Sequence, residues 1–286
     1  MSIKFAKFHG FGNDYIVLER ARLSDRVDLS DLASRICNRH TGVGADGIAV
    51  LNKLEDGEAD FACEIVNPDG SIAGFSGNGT RCAVAYLYFA GLWEKPDLCL
   101  GMRTGIKDYH LLEHPSPGQF KFRAEIGKPI FASNGVPFAS DEPLEDVIDR
   151  EVVVGEQAIL VSAINVGNPV ACIYTESFDF DWRSVGREME SHRIFPERAN
   201  IVFVKVIDRS NIELRIWERG AGETAASGTC SAAAAVLSAY TGRTDRTVAV
   251  HSEGGTAEII WRADDEIVLT GIADHAFSGE FPYITQ

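Results

Sequence analysis

Ile212-Glu213-Leu214-Arg215-Ile216-Trp217 alternates apolar and polar side chains, the period of a strand with one buried face. The same alternation runs through Phe61, Cys63 and Ile65, and through Phe120, Phe122 and Ala124 against Lys121, Arg123 and Glu125. Ile201 to Ile207 is nearly continuous in apolar residues and predicts a more deeply buried strand. Further strands are expected at 3–8, 14–19, 151–154, 158–164, 246–252, 256–262 and 266–271, with residues 95–126 β-like throughout. Helices are fewer. Leu32, Ala33 and Ile36 mark one, with Ser30 as its expected cap, and a second falls near 182–191. Ser231-Ala232-Ala233-Ala234-Ala235-Val236-Leu237 is apolar all round, so this helix should be buried on every side.

That buried helix opens from a glycine-broken loop, Trp217 to Cys230, through Ser227-Gly228-Thr229. A helix mouth presents unpaired N–H groups and the positive end of the dipole, and so can hold a carboxylate. The simpler reading of Ser227 is an N-cap. The first half of the chain repeats the arrangement. Asn67 to Cys82 is a glycine-rich stretch carrying Ser76-Gly77-Asn78-Gly79-Thr80, followed by Ala83-Val84-Ala85-Tyr86-Leu87 and closed by Gly91. Upstream of each mouth stands a related turn, Gly12-Asn13-Asp14 or Gly167-Asn168-Pro169; 63 residues separate Asn13 from Ser76 and 59 separate Asn168 from Ser227. This is an internal duplication: two similar lobes of an α+β protein, each with one central helix. The Pro/Gly/Ser/Asn-rich stretch from Pro129 to Pro143 reads as the crossover. The lobes are then 1–128 and 129–272, with 273–286 returning to the first.

Composition narrows the chemistry. The 286 residues are 45% hydrophobic, enough for real cores, and the net charge of −15 opposes binding to nucleic acid or an anionic membrane. The N-terminal residues lack a signal-peptide apolar core, and no run approaches the ~20 apolar residues of a membrane span. Six cysteines without C-x-x-C spacing, and seven scattered histidines, favour reduced thiols in a cytoplasmic protein over disulfides or a metal site.

Taken in order, His9-Gly10-Phe11-Gly12-Asn13-Asp14, Gly42-Val43-Gly44-Ala45-Asp46, Asn67 to Cys82, Gly167-Asn168-Pro169, Phe195 to Asn200 and Glu218 to Thr229 resemble the diaminopimelate epimerase family over nearly the whole chain. The resemblance implies two pseudo-symmetric lobes, each a curved sheet or barrel around a central helix. It implies inversion of LL- to meso-diaminopimelate, for lysine and peptidoglycan precursors, by α-proton transfer without pyridoxal phosphate or any other cofactor or metal. It also implies a homodimer, with an amino-acid substrate as the other partner. The family's two proton carriers are cysteines; the matching positions here are Ser76 and Ser227. Its histidine after Gly-Asn-Pro is Val170, and its glutamine after Gly-Val-Gly is Gly47. The pocket otherwise matches. The resemblance assigns Asn13, Asn67, Asn168 and Asn200 to the lining, Glu218 and Arg219 to the far amino and carboxylate groups, and Gly77, Asn78, Gly228 and Thr229 to the cradle of the reacting carboxylate. Singly, each asparagine reads equally as a turn or cap residue.

A serine hydroxyl is a poor base unless a partner takes its proton. Cys82 and Cys230 lie one or two turns into their helices and read as packing residues. Two alternatives to epimerisation follow. One is a one-base isomerase or dehydratase acting on another amino or hydroxy acid, with Glu218, Glu223 or Asp46 as the base. The other is a binding protein without catalysis.

Overall fold

A computed structural model describes residues 1–55, 57–74, 76–155 and 157–284; Phe75, inside the first glycine-rich motif, lies outside them. By internal contacts the chain divides into Met1–Ala124 with Thr270–Gln286, and Glu125–Leu269.

In the first unit, β1 (Ser2–Gly10) turns back into β2 (Asn13–Glu19), with Gly10 opposite Asn13. Phe11 and Gly12 both hold positive φ in that turn, a conformation that glycine adopts without strain. Helix α1 (Leu29–Ile36) carries the chain across to β3 (Gly47–Lys53), which lies parallel to β2. β3 turns into β4 (Phe61–Val66), and short β5 (Ile72–Ala73) pairs back on it. Helix α2 (Gly77–Phe89) then returns the chain to β6 (Asp97–Met102), parallel to β4. β7 (Gly105–Ser116) and β8 (Gln119–Gly127) complete the meander. β17 (Ile267–Pro282) pairs β8 on one side and β1 on the other, so eight strands close around α2. Helix α2 packs on β1, β2, β3 and β4, and from Asn78 to Ala85 every residue is buried.

The second unit repeats the sequence of connections. β9 (Val147–Val154) and β10 (Gln157–Asn165) lead into β11 (Pro169–Tyr174). Helix α3 (Trp182–Glu190) crosses over to β12 (Asn200–Asp208), parallel to β11. β13 (Asn211–Glu218) follows as a hairpin, and short β14 (Gly222–Thr224) folds back on it. Helix α4 (Gly228–Tyr240) then leads to β15 (Thr247–Ser252), parallel to β13, and to β16 (Gly255–Trp261). All residues of α4 from Thr229 to Ser238 are buried against strands of this unit. Alanine is what allows it, because a slim helix fits inside a curved sheet with no polar face left over.

Two expectations are corrected. The cap of α1 is Asp28, whose carboxylate accepts from Ser30 N at 2.8 Å and from Asp31 N; Ser30 Oγ instead donates to Gly70 O at 2.7 Å. A charged acceptor at a helix N-terminus gains from the dipole as well as the hydrogen bond, which favours the aspartate two residues earlier. The last strand does not stop at 271 but runs to Pro282, because β1 supplies ladder partners from Asp274 to Pro282 that hydropathy alone does not reveal.

Candidate active site

The mouth of α2 is formed by a residue with extended backbone, Ser76 (φ −139°, ψ 115°), followed at once by helix. Ser76 Oγ accepts the Gly79 N–H at 3.1 Å, so the capping role is real here. The same oxygen lies 2.9 Å from the hydroxyl of Tyr15, in the middle of β2. Asn78 is buried, and its side-chain oxygen accepts from the guanidinium of Arg81. Arg81, only 2% exposed, also donates through Nε to Ile272 O at 2.8 Å and lies over the Phe11 ring, 5.2 Å from its centroid. Burial draws its pKa below the ordinary arginine value. Thus a buried cation ties Asn78 to β17. Nothing in the hydropathy pattern announces an interior arginine.

Asn13 opens β2, and its amide donates to Asp46 Oδ2 at 2.7 Å. Asp46 is held by Arg39 (2.7 Å), which also grips Asp14, and Asp14 pairs with Lys7 at 2.7 Å. Burial alone would raise the Asp14 pKa, but hydrogen bonds and charge from Arg39 and Lys7 hold it below the ordinary value. Asn67, just past β4, donates to Ser71 Oγ at 2.9 Å within a turn that Asp69 also braces. This bond uses one of its two amide hydrogens and fixes the turn.

Ser227 stands at the mouth of α4 with the same extended backbone (φ −145°, ψ 126°) but makes no side-chain cap bond. Its hydroxyl donates to Glu218 Oε1 at 2.6 Å, a short charge-assisted hydrogen bond on a residue 7% exposed. Thr229 Oγ1 lies 3.5 Å from the same hydroxyl oxygen. The hairpin of β13 with β14 produces the meeting, because it pairs Glu218 with Gly222 and sends the chain back to Ser227. No residue next to either serine in sequence looked like a base; the tertiary fold brings one to Ser227 from nine positions upstream.

The loop after Glu218 is clamped. Arg219 N donates to Asn200 Oδ1 at 2.8 Å, and the Arg219 guanidinium to Glu197 O at 2.9 Å. Gly220 N donates to Glu190 Oε1 at 2.7 Å, and Trp217 Nε1 to Glu190 Oε2 at 2.9 Å. Glu190, a buried carboxylate on α3, is thus an organising residue that sequence reasoning missed; its only sequence signal was a polar residue at the end of an amphipathic helix. Asn168 Oδ1 is buried without a hydrogen-bond partner among the described residues, an acceptor whose isolation suits a donor brought by a ligand. Val170 is fully buried in β11 opposite Asn200. Gly77 and Gly228 occupy the first helical position at their respective mouths.

Of the other acids considered as bases, Glu223 is engaged by both arms of Arg183 (2.7 and 2.6 Å) and Asp46 by Arg39 and Asn13. Cys82 and Cys230 are fully buried. Burial pushes the Cys82 thiol up to about 12 and the Cys230 thiol well above its usual range, so neither supplies a thiolate near neutrality. The chemistry available at the two mouths is therefore hydroxyl chemistry: one serine backed by a phenol, the other by a carboxylate, each beside the N–H groups of a helix start.

Solved structures with this fold include a hydroxyproline epimerase from Agrobacterium vitis with bound trans-4-hydroxy-L-proline (TM-score 0.71, 14% identity, 98% of this chain and 92% of that one). A phenazine biosynthesis protein from Bacillus anthracis is similar at TM-score 0.68 and 15% identity, covering 99% and 100%. At such identities the likeness is one of fold. Sequence relatives are nearer. A diaminopimelate epimerase from Caldanaerobacter subterraneus subsp. tengcongensis is 37% identical over 280 residues, 97% of this chain and 99% of its own. One from Heliobacterium modesticaldum is 35% identical over 284 residues, 98% and 100%. The family model for diaminopimelate epimerase matches residues 5–121 and 162–276, so it spans both helix mouths and both repeats of the fold. With the duplicated topology, the paired mouths and full-length relatives in agreement, the chain belongs to the diaminopimelate epimerase family.

Proposed function

We propose that this protein inverts an α-carbon of diaminopimelate, interconverting the LL and meso forms by proton transfer without pyridoxal phosphate. Ser227 and Ser76 act as the proton carriers in place of thiols. The observation that carries this reading is the 2.6 Å hydrogen bond from Ser227 Oγ to Glu218. It gives a serine what it otherwise lacks, a base positioned to take its proton. Glu218 then draws the α-proton off through Ser227, or directly, and Ser76 returns one. The N–H groups at the helix starts, at Gly77 and Asn78 and at Gly228 and Thr229, stabilise charge building on the substrate carboxylate. Asn13, Asn67, Asn168, Asn200 and Arg219 bind the remainder of the substrate, with the orphaned Asn168 oxygen taking an ammonium hydrogen. Family membership and the acidic, cysteine-reduced character of the chain support a homodimer working in the cytoplasm.

The test is α-deuterium incorporation into LL- and meso-diaminopimelate in heavy water, followed by proton NMR. Incorporation with stereochemical inversion is expected; absence of any exchange at saturating substrate overturns the reading. The inequality of the two serines favours a second reading, since Ser227 meets a carboxylate and Ser76 a phenol: a one-base isomerisation or dehydration of a related amino or hydroxy acid. It predicts exchange with retention, or elimination products, across a substrate panel. Binding without exchange points to a ligand-binding protein.

A further inference from the structure

We infer that Tyr15 is a positioning residue for Ser76 that also relays its proton, so that the donor at this mouth is a phenol acting through a serine. The inference rests on the reading of Ser76 as a proton carrier.

Three observations place Tyr15 in this role. Its hydroxyl lies 2.9 Å from Ser76 Oγ across 61 residues of sequence, and the residue is only 6% exposed. Its ring occupies a slot kept open by two glycines. A Cβ at Gly47 would stand 2.8 Å from Tyr15 Cε1, and one at Gly79 would stand 2.8 Å from Cε1 and 3.0 Å from Cζ. Gly79 itself is the residue whose N–H binds Ser76 Oγ. One glycine therefore both makes room for the phenol and fixes the hydroxyl that the phenol addresses.

A hydroxyl has one proton and two acceptor lone pairs. At Ser76 the Gly79 N–H fills one lone pair; either hydroxyl of the Tyr15–Ser76 pair can donate to the other, and in the relay Tyr15 donates and fills the second. In that arrangement the Ser76 proton points away from both partners and is available to a ligand. At Ser227 the proton is already given to Glu218. The two mouths thus differ in polarity, Ser227 being set to receive a proton and Ser76 to deliver one.

The energetics favour a relay over serine alone. Delivery of its proton by an isolated serine leaves an aliphatic alkoxide, whereas a phenol ionises with an ordinary pKa of about 10. As the Ser76 O–H bond breaks and the Cα–H bond forms, the Tyr15 proton passes to Ser76 Oγ. The negative charge that leaves the substrate carbon rests on the phenolate until solvent reprotonates it. In the reverse direction the phenolate recovers its proton through Ser76 as the Cα–H bond breaks.

The experiment is a double-mutant cycle of Tyr15→Phe and Ser76→Cys, read by α-deuterium exchange into diaminopimelate and its pH profile. Phenylalanine keeps the ring in its slot. In the parent protein Tyr15→Phe should slow exchange roughly 100-fold, the scale of a lost general acid. It should also change the shape of the pH profile. In the Ser76→Cys background, where a thiol carries its own proton, the same change should cost less than about threefold, because the coupling lies in the pair. An equal loss in both backgrounds assigns Tyr15 to packing and overturns the relay, as does an unchanged rate in Tyr15→Phe. A parent protein that binds diaminopimelate but never exchanges overturns the proposed reaction and the relay together. Exchange in the parent with no Tyr15 effect overturns the relay alone.

Discussion

Gly79→Ala in α2 sets two ordinary rules against each other. In a helix interior the exchange of glycine for alanine stabilises by about 1 kcal/mol through propensity. Here the new methyl group would lie 2.8 and 3.0 Å from two carbons of the Tyr15 ring and 3.1 Å from Ile65 Cδ1, both residues being buried. Restoring ordinary contact requires the ring to retreat by about half an ångström, and overpacking of that kind costs about 1–3 kcal/mol. The net expectation is a loss of about 1 kcal/mol, seen as a fall in Tm of about 2–4 °C for a chain of this class. The retreat also carries the phenol away from Ser76, so α-proton exchange should fall with stability, while the Gly79 N–H that caps the helix is kept. The assays are a thermal melt by circular dichroism and α-deuterium exchange on the same preparation. A variant that melts higher than the parent and exchanges at the parental rate refutes the reasoning, because the slot would then be looser than the contacts require.

Glu218→Gln preserves shape and still accepts the Ser227 hydroxyl hydrogen, but it cannot take the proton; α-exchange should fall by roughly 10²–10⁴, the span of general-base catalysis. A loss below about threefold excludes Glu218 as the base. Asp14 has a folded-state pKa below 3.8, so it contributes stability above that value that is lost as pH falls through the depressed pKa. The urea midpoint of the parent should therefore drop below pH 3.8 more steeply than that of Asp14→Asn, and parallel curves would exclude the contribution.

Much of this molecule was legible in the residues. Alternation at Ile212–Trp217 and Phe120–Ala124, the apolar run from Ile201 and the slim alanine helix each carry a local period that survives in the folded chain. The repeated Ser-Gly mouths and Gly-Asn turns foretold a duplicated topology, which the structure gives as β2–α1–β3 against β11–α3–β12 and α2 against α4. What local pattern could not carry was partnership. Choosing Asp28 over Ser30 as a cap depends on where Gly70 lies, and extending β17 to Pro282 depends on β1. The isolated serines of the sequence acquire Tyr15 and Glu218 only because a strand 61 residues away, and a hairpin that folds back a residue nine positions upstream, deliver them. Arg81 and Glu190 look like surface charges until the fold encloses them and uses them as anchors. The sequence by itself determined the elements, their order and the helix mouths, since these follow from the period of burial and from backbone preference within a few residues. The tertiary structure alone decided which acid or hydroxyl each serine meets, since hydrogen bonds between distant residues are fixed by register and packing, and no spacing along the chain encodes them.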